Sequence, residues 1–131
     1  MAIRSNRRKV IDHSALLDLA EQCLANISEA PFDRRKLLPL AEKAWVFAKN
    51  HIRDEEDLMA TIGYPAAEAH RQEHTLMINS VASLLLHIQA SDKAGSITGA
   101  MSLKSWHDNH VATDRKLLTY LEQSKKKGSN Y

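Results

Sequence analysis

Apolar positions recur at three- and four-residue spacing along four long stretches of the chain, the signature of amphipathic helices. The first stretch runs from about Arg7 to Ser28, with Val10, His13, Leu17, Ala20, Leu24 and Ile27 on one stripe, and Ala30-Pro31 ends it. Asp33 is placed to cap a second helix whose stripe is Leu37, Ala41, Ala44, Ala48, His51, Glu55, Leu58 and Ile62. Pro39 falls inside that segment, so the helix either begins there or bends there. A break at Tyr64-Pro65 follows, and Pro65 suits the first position of a third helix carrying His70, His74, Met77, Val81, Leu85 and Ile88. The polar link Ser91-Asp92-Lys93-Ala94-Gly95 leads to a fourth helix from near Ser96, with Leu103, Trp106, His110, Asp114, Leu117 and Leu121, fraying from Lys125 onward. Four amphipathic helices with short links predict an all-α fold, an up-down-up-down antiparallel four-helix bundle. There is no internal repeat.

Composition agrees. Aromatic residues are 5% and apolar residues 44%, with only four Gly and three Pro, which favours helices over sheets. The 131 residues are enough for one domain, 1–131, with a real core. The net charge of +2 misleads, because seven of the 18 basic residues lie in the tails 1–9 and 125–131, which are expected to be mobile. Residues 10–124 carry 11 basic and 16 acidic residues, a net −5, so a nucleic-acid-binding face is not expected. The single cysteine, Cys23, permits no intrachain disulfide and reads as a small buried hydrophobe. Neither a signal-peptide core nor an apolar run long enough to span a membrane is present, and the expectation is a cytoplasmic, monomeric protein.

Polar residues interrupt the apolar stripes at one level. His13, His51, Glu55, His70, His74, His110 and Asp114 all take core-facing positions. His51–Glu55 and His70–His74 are each four residues apart, one turn on one helix face, and they flank the Tyr64-Pro65 reversal. Burying seven such groups unpaired would cost several kcal/mol each, against a whole-domain stability of about 5–15 kcal/mol. Coordination removes that penalty, and imidazole with carboxylate suits a borderline metal such as iron or zinc. Seven ligands are too many for one open ion, whereas two ions sharing the carboxylates account for all. His87 lies off the stripes and reads as a surface residue.

These residues fall in HIRDEEDLM (51–59), YPAAEAHRQEH (64–74) and WHDNHVATD (106–114), after His13. Together they resemble the bacteriohemerythrins, bacterial relatives of hemerythrin, whose pattern is a first-helix His followed by HFxxEExxM, YPxxxxHxxEH and WLxxHIxxxD. The resemblance implies a centre of two iron ions with a bridging oxo or hydroxo group. His70, His74 and His110 would bind one iron and His13 and His51 the other, with Glu55 and Asp114 bridging. The iron with two His ligands would keep an open position for dioxygen.

Two departures stand out. His110 and Asp114 are four residues apart where the family spaces them by five. His107 replaces a Leu that would line the dioxygen pocket; a His there could donate a hydrogen bond, supply a proton or bind metal, or it could turn to solvent beside Asp108. The function so implied is reversible dioxygen binding for carriage, storage or sensing, without enzymatic machinery. The alternative is a di-iron centre with peroxidase-like, oxidase-like or nitric-oxide-reactive turnover, which a polar His107 would favour. A histidine phosphotransfer bundle would need an exposed His rather than inward pairs. A ferritin-like centre would need Glu-x-x-His repeats, which the chain lacks.

Overall fold

The computed structural model describes residues 11–29 and 31–126. Among these there are four helices and no strand: α1 (Ser14–Ser28), α2 (Arg34–Ile62), α3 (Ala67–Gln89) and α4 (Lys93–Lys126). They form a four-helix bundle in which α1 packs on α2 and α4, and α3 packs on the same two helices from the other side. No helix among the described residues is long and apolar enough to cross a membrane.

Buried positions follow an alternating three-four step. On α2 they are Leu37, Ala41, Ala44, Ala48, His51, Glu55, Leu58 and Ile62, with Met59 buried beside them, and on α3 His70, His74, Met77, Val81, Leu84 and Ile88. This seam is shifted by one residue from the expected stripe at three places. Leu16 and Cys23 fill the core of α1 where Leu17 and Leu24 were expected, and Leu84 replaces Leu85 on α3; the displaced residues are half-buried. One position is about 100° of helix rotation, and a seven-residue repeat tolerates no such drift. Val10 lies outside the described residues.

Several boundaries also move. His13 is not within a helix: the backbone is helical at Ile11, breaks at Asp12 and His13, and resumes at Ser14. The Asp12 side chain accepts a hydrogen bond from the Ser14 amide at 2.9 Å, a local bond that competes with helix. α2 starts at Arg34 and runs through Pro39 as continuous helix, so Pro39 does not begin it; its side chain is exposed. Asp33 does cap α2, accepting from the Arg35 amide. α2 ends in a Schellman turn, with Gly63 at φ 63°, the Gly63 amide on Ala60 and the Tyr64 amide on Met59. Pro65 sits in the turn, and α3 starts two residues later. Asp92 accepts from the Gly95 amide, so α4 begins at Lys93 rather than near Ser96. Its far end is helical through Lys125 and Lys126, where fraying was expected. The remaining tail residues, 1–9 and 127–131, lie outside the described residues.

The core is in two parts. A large apolar cluster takes Leu16 to Ile27 of α1, Leu37 to Ala48 of α2, Met77 to Ile88 of α3, and Ala100, Leu103 and Trp106 of α4. A smaller one, with Ile11, Leu58, Met59, Ile62, Tyr64, Leu117 and Leu121, closes the end near the α2–α3 turn. His13, His51, Glu55, His70, His74, His110 and Asp114 form the layer between them.

Candidate metal centre

All seven residues of that layer are buried, none more than 8% exposed. α2 contributes His51 and Glu55, α3 His70 and His74, and α4 His110 and Asp114, each pair one turn apart. His13 enters from the break before α1. α4 is regular α-helix throughout 110–114, so Asp114 reaches the layer at a four-residue spacing with no local distortion.

The polar atoms converge. Glu55 Oε1 contacts His70 Nε2 and lies 2.8 Å from His74 Nε2, while Oε2 is 3.4 Å from His51 Nε2. Asp114 Oδ2 contacts His13 Nε2, and Oδ1 lies 3.0 Å from His110 Nε2 and 3.7 Å from His70 Nε2. Ligand atoms of Glu55, His70, His74 and His110 all fall within 4.8 Å of one another, as do those of His13, His110 and Asp114. His51 belongs to neither group and joins the layer through Glu55.

Outside this layer, carboxylates steady two of the rings. Glu56 Oε2 lies 3.1 Å from His74 Nδ1. Glu73 Oε1 lies 2.9 Å from His110 Nδ1, and its other oxygen accepts from the Thr113 hydroxyl at 2.8 Å. The Trp106 indole donates to the Glu73 carbonyl at 3.0 Å and stacks on His110, 4.3 Å between centroids. Phe47 stacks on His51 at 5.8 Å. Reading the stripes alone missed Glu56 and Glu73, since both lie beside the seam; the available signal was that each is the immediate neighbour of a ligand candidate, Glu55 or His74.

The surrounding imidazoles hold both carboxylates of the layer ionised. Burial alone would raise the Asp114 carboxyl, but contacts with His110 and His13 outweigh it and hold it down to about 2. Burial would raise Glu55 too, but its contacts with His70 and His74 lower it. Burial depresses His51 to about 4 against the pull of Glu55, leaving its ring neutral and able to ligate at pH 7. His110 moves the other way: its burial is overcome by Asp114 and Glu73.

Among the described residues, the buried side-chain polar atoms without a hydrogen bond are His13 Nδ1, His51 Nε2, Glu55 Oε2, His70 Nδ1 and Nε2, His107 Nδ1, His110 Nε2 and Asp114 Oδ1. Every one is in or against this layer. A buried polar atom left without a hydrogen bond costs about 1–3 kcal/mol, so a cluster of them in one layer calls for an occupant. Metal ions between the Glu55 and Asp114 carboxylates would satisfy the inward-facing ones, so the residues fit a metal centre.

His107 does not turn to solvent. Its side chain is 13% exposed, and its ring stands edge-on to His13, 4.6 Å between centroids; its Nδ1 lies 3.5 Å from Asp108 without forming a hydrogen bond. His107 lines an open pocket of about 230 Å³ with His13, Asp114, Val111, Arg115 and Leu118. His87 lies near the far end of α3, its side chain 42% exposed and 3.0 Å from Asp92.

A model of the hemerythrin HHE cation binding domain matches residues 10–121. The bacteriohemerythrin of Stenotrophomonas maltophilia (strain R551-3) is 27% identical over 89 residues, covering 68% of this chain and 58% of that protein. The match thus spans little more than half the length of that relative. No solved structure matches the chain. With the family match extending over all four helices and every residue of the buried polar layer, the chain belongs to the hemerythrin family of HHE cation-binding domains.

Proposed function

We propose that this chain is one domain, an up-down-up-down antiparallel bundle holding two iron ions, and that it binds dioxygen reversibly. His70, His74 and His110 would hold one ion, His13 and His51 the other, and Glu55 and Asp114 would bridge them. A reduced di-iron centre would supply the electrons that hold dioxygen reversibly. The observation that carries this reading is the convergence of five imidazoles and two carboxylates, with their inward atoms lacking other partners, in a layer sealed by apolar clusters on both sides. Three His on one side and two on the other leave the His13 side with room for an exogenous ligand, and an open position separates a reactive site from a closed structural one. The flanking apolar clusters would limit water at the two faces of the layer and so slow irreversible oxidation.

The second reading is turnover, as a peroxidase, an oxidase or a nitric-oxide-reactive centre. It is favoured by His107, a proton-bearing side chain against His13 on the pocket wall. The five layer histidines are at most 5% exposed, so none of them suits a phosphotransfer role.

The deciding experiment is the visible spectrum of anaerobically reduced, iron-loaded protein before and after admitting air. A band that appears with dioxygen and disappears on its removal supports carriage. A band that decays to a stable ferric spectrum supports turnover. No band and no retained iron would overturn both.

A further inference from the structure

The two ends of the buried layer are built differently. At the α3–α4 end, His74 Nδ1 lies on Glu56 and His110 Nδ1 on Glu73, which Thr113 in turn holds; only His70 lacks a partner at Nδ1. These ligands sit on regular helices, with Trp106 stacked over His110. At the other end, His13 lies at a break in helix, its Nδ1 has no partner, and the pocket open to solvent runs along it and Asp114. His51 is outside both tight groups of ligand atoms. Carboxylates on the second nitrogen of a metal-bound His fix its orientation and raise its basicity, and removing one typically weakens metal binding about 10–100-fold.

We propose that the two metal positions are unequal: an ion held by His70, His74 and His110 is retained, one held by His13 and His51 exchanges through the pocket, and Glu56 and Glu73 are the positioning residues that create the difference. This rests on the two-metal reading above. It implies a stable one-metal form of the protein, with the exchangeable position free to accept a different divalent transition metal.

The test uses cobalt(II), whose colour reports its ligands. The full chain is loaded with two equivalents, mixed with excess EDTA, and followed by visible absorbance, with bound metal counted by elemental analysis. Two phases separated at least tenfold in rate, with one ion per chain remaining between them, are expected. Glu73→Gln should speed the slow phase about 10–100-fold and leave the fast phase unchanged, and Glu73→Ala should exceed it. Thr113→Val, which removes only the hydroxyl that holds Glu73, should shift the slow phase in the same direction by less. This variant decides the matter should the Glu73 replacements lose helical circular dichroism. Two ions leaving in a single phase would overturn the inequality while leaving the two-metal centre standing. Uptake of fewer than two ions at saturation would overturn both. A slow phase unmoved in every folded variant would remove Glu73 from the role.

Discussion

His107 stands edge-on to His13, the rings perpendicular and 4.6 Å apart, on the wall of a pocket that opens to solvent. A side chain that can donate a proton therefore occupies a wall where the family pattern places Leu. General-acid assistance commonly amounts to 10²–10⁴-fold, so even partial engagement should be visible. Replacing His107 with Leu is expected to slow the decay of the dioxygen-dependent band by roughly tenfold or more, with iron content unchanged. An unaltered decay rate would remove His107 from the chemistry.

Asp114 is expected to be needed for the full metal complement. It alone touches His13 of one end and approaches His70 and His110 of the other. Asp114→Ala should therefore hold at most one ion per chain, and Glu55→Ala should do the same or worse, since Glu55 reaches His51, His70 and His74. Elemental analysis after desalting reads this directly. Two ions retained by Asp114→Ala would exclude it as a bridge.

Without metal, the centre should weaken the protein in mild acid. His51 titrates near 4 in the fold and near its ordinary 6.5 when unfolded, so the unfolded chain takes up the proton first. Its contribution is present above about pH 6.5 and is lost as pH falls toward 4, at most about 3 kcal/mol from that one group. His110, raised in the fold, acts in the opposite sense: its contribution is greatest in acid and is lost as pH rises through its folded pKa. Urea midpoints of metal-free protein should fall between pH 7 and 4, and less steeply in His51→Leu. Equal slopes in the two proteins would rule out His51 as the cause.

Gly99 of α4 packs directly against the backbone of Leu84 on α3. A Cβ built there would lie 3.0 Å from the Leu84 Cα, which is backbone and cannot swing aside. Helix propensity alone favours Gly99→Ala by about 1 kcal/mol, whereas overpacking costs about 1–3 kcal/mol. Packing should win, lowering the melting temperature. A rise would mean that the two helices separate more easily than their contact indicates.

The polar layer was legible in the sequence because six of its seven residues sit on the helix seams themselves, at steps that only a helix face would repeat; His13, off the helix, keeps the same spacing to Leu16. The seam's finer register was not. Leu16 and Leu17 are both apolar, as are Leu84 and Leu85, and composition cannot rank two adjacent leucines; the partner helix decides. Glu56 and Glu73 escaped for a different reason, since an acidic residue beside a seam looks like any solvated one until the ring it touches has been placed. The break at His13 was hidden by a side-chain bond from Asp12 to the next amide but one, whose strength relative to helix continuation depends on the surroundings.

Three of the four helices present their inward polar pairs at i and i+4 on unbroken α-helix. The vertical separation of these groups is therefore fixed by helix pitch, about 5.4 Å per turn, rather than by any loop. The bundle acts as a ruler with one turn as its unit. A residue inserted in the 29–33 connection changes the link and leaves the graduations intact. The same insertion between His51 and Glu55, His70 and His74, or His110 and Asp114 turns one mark about 100° off the scale, and only a bulge in the helix could bring it back.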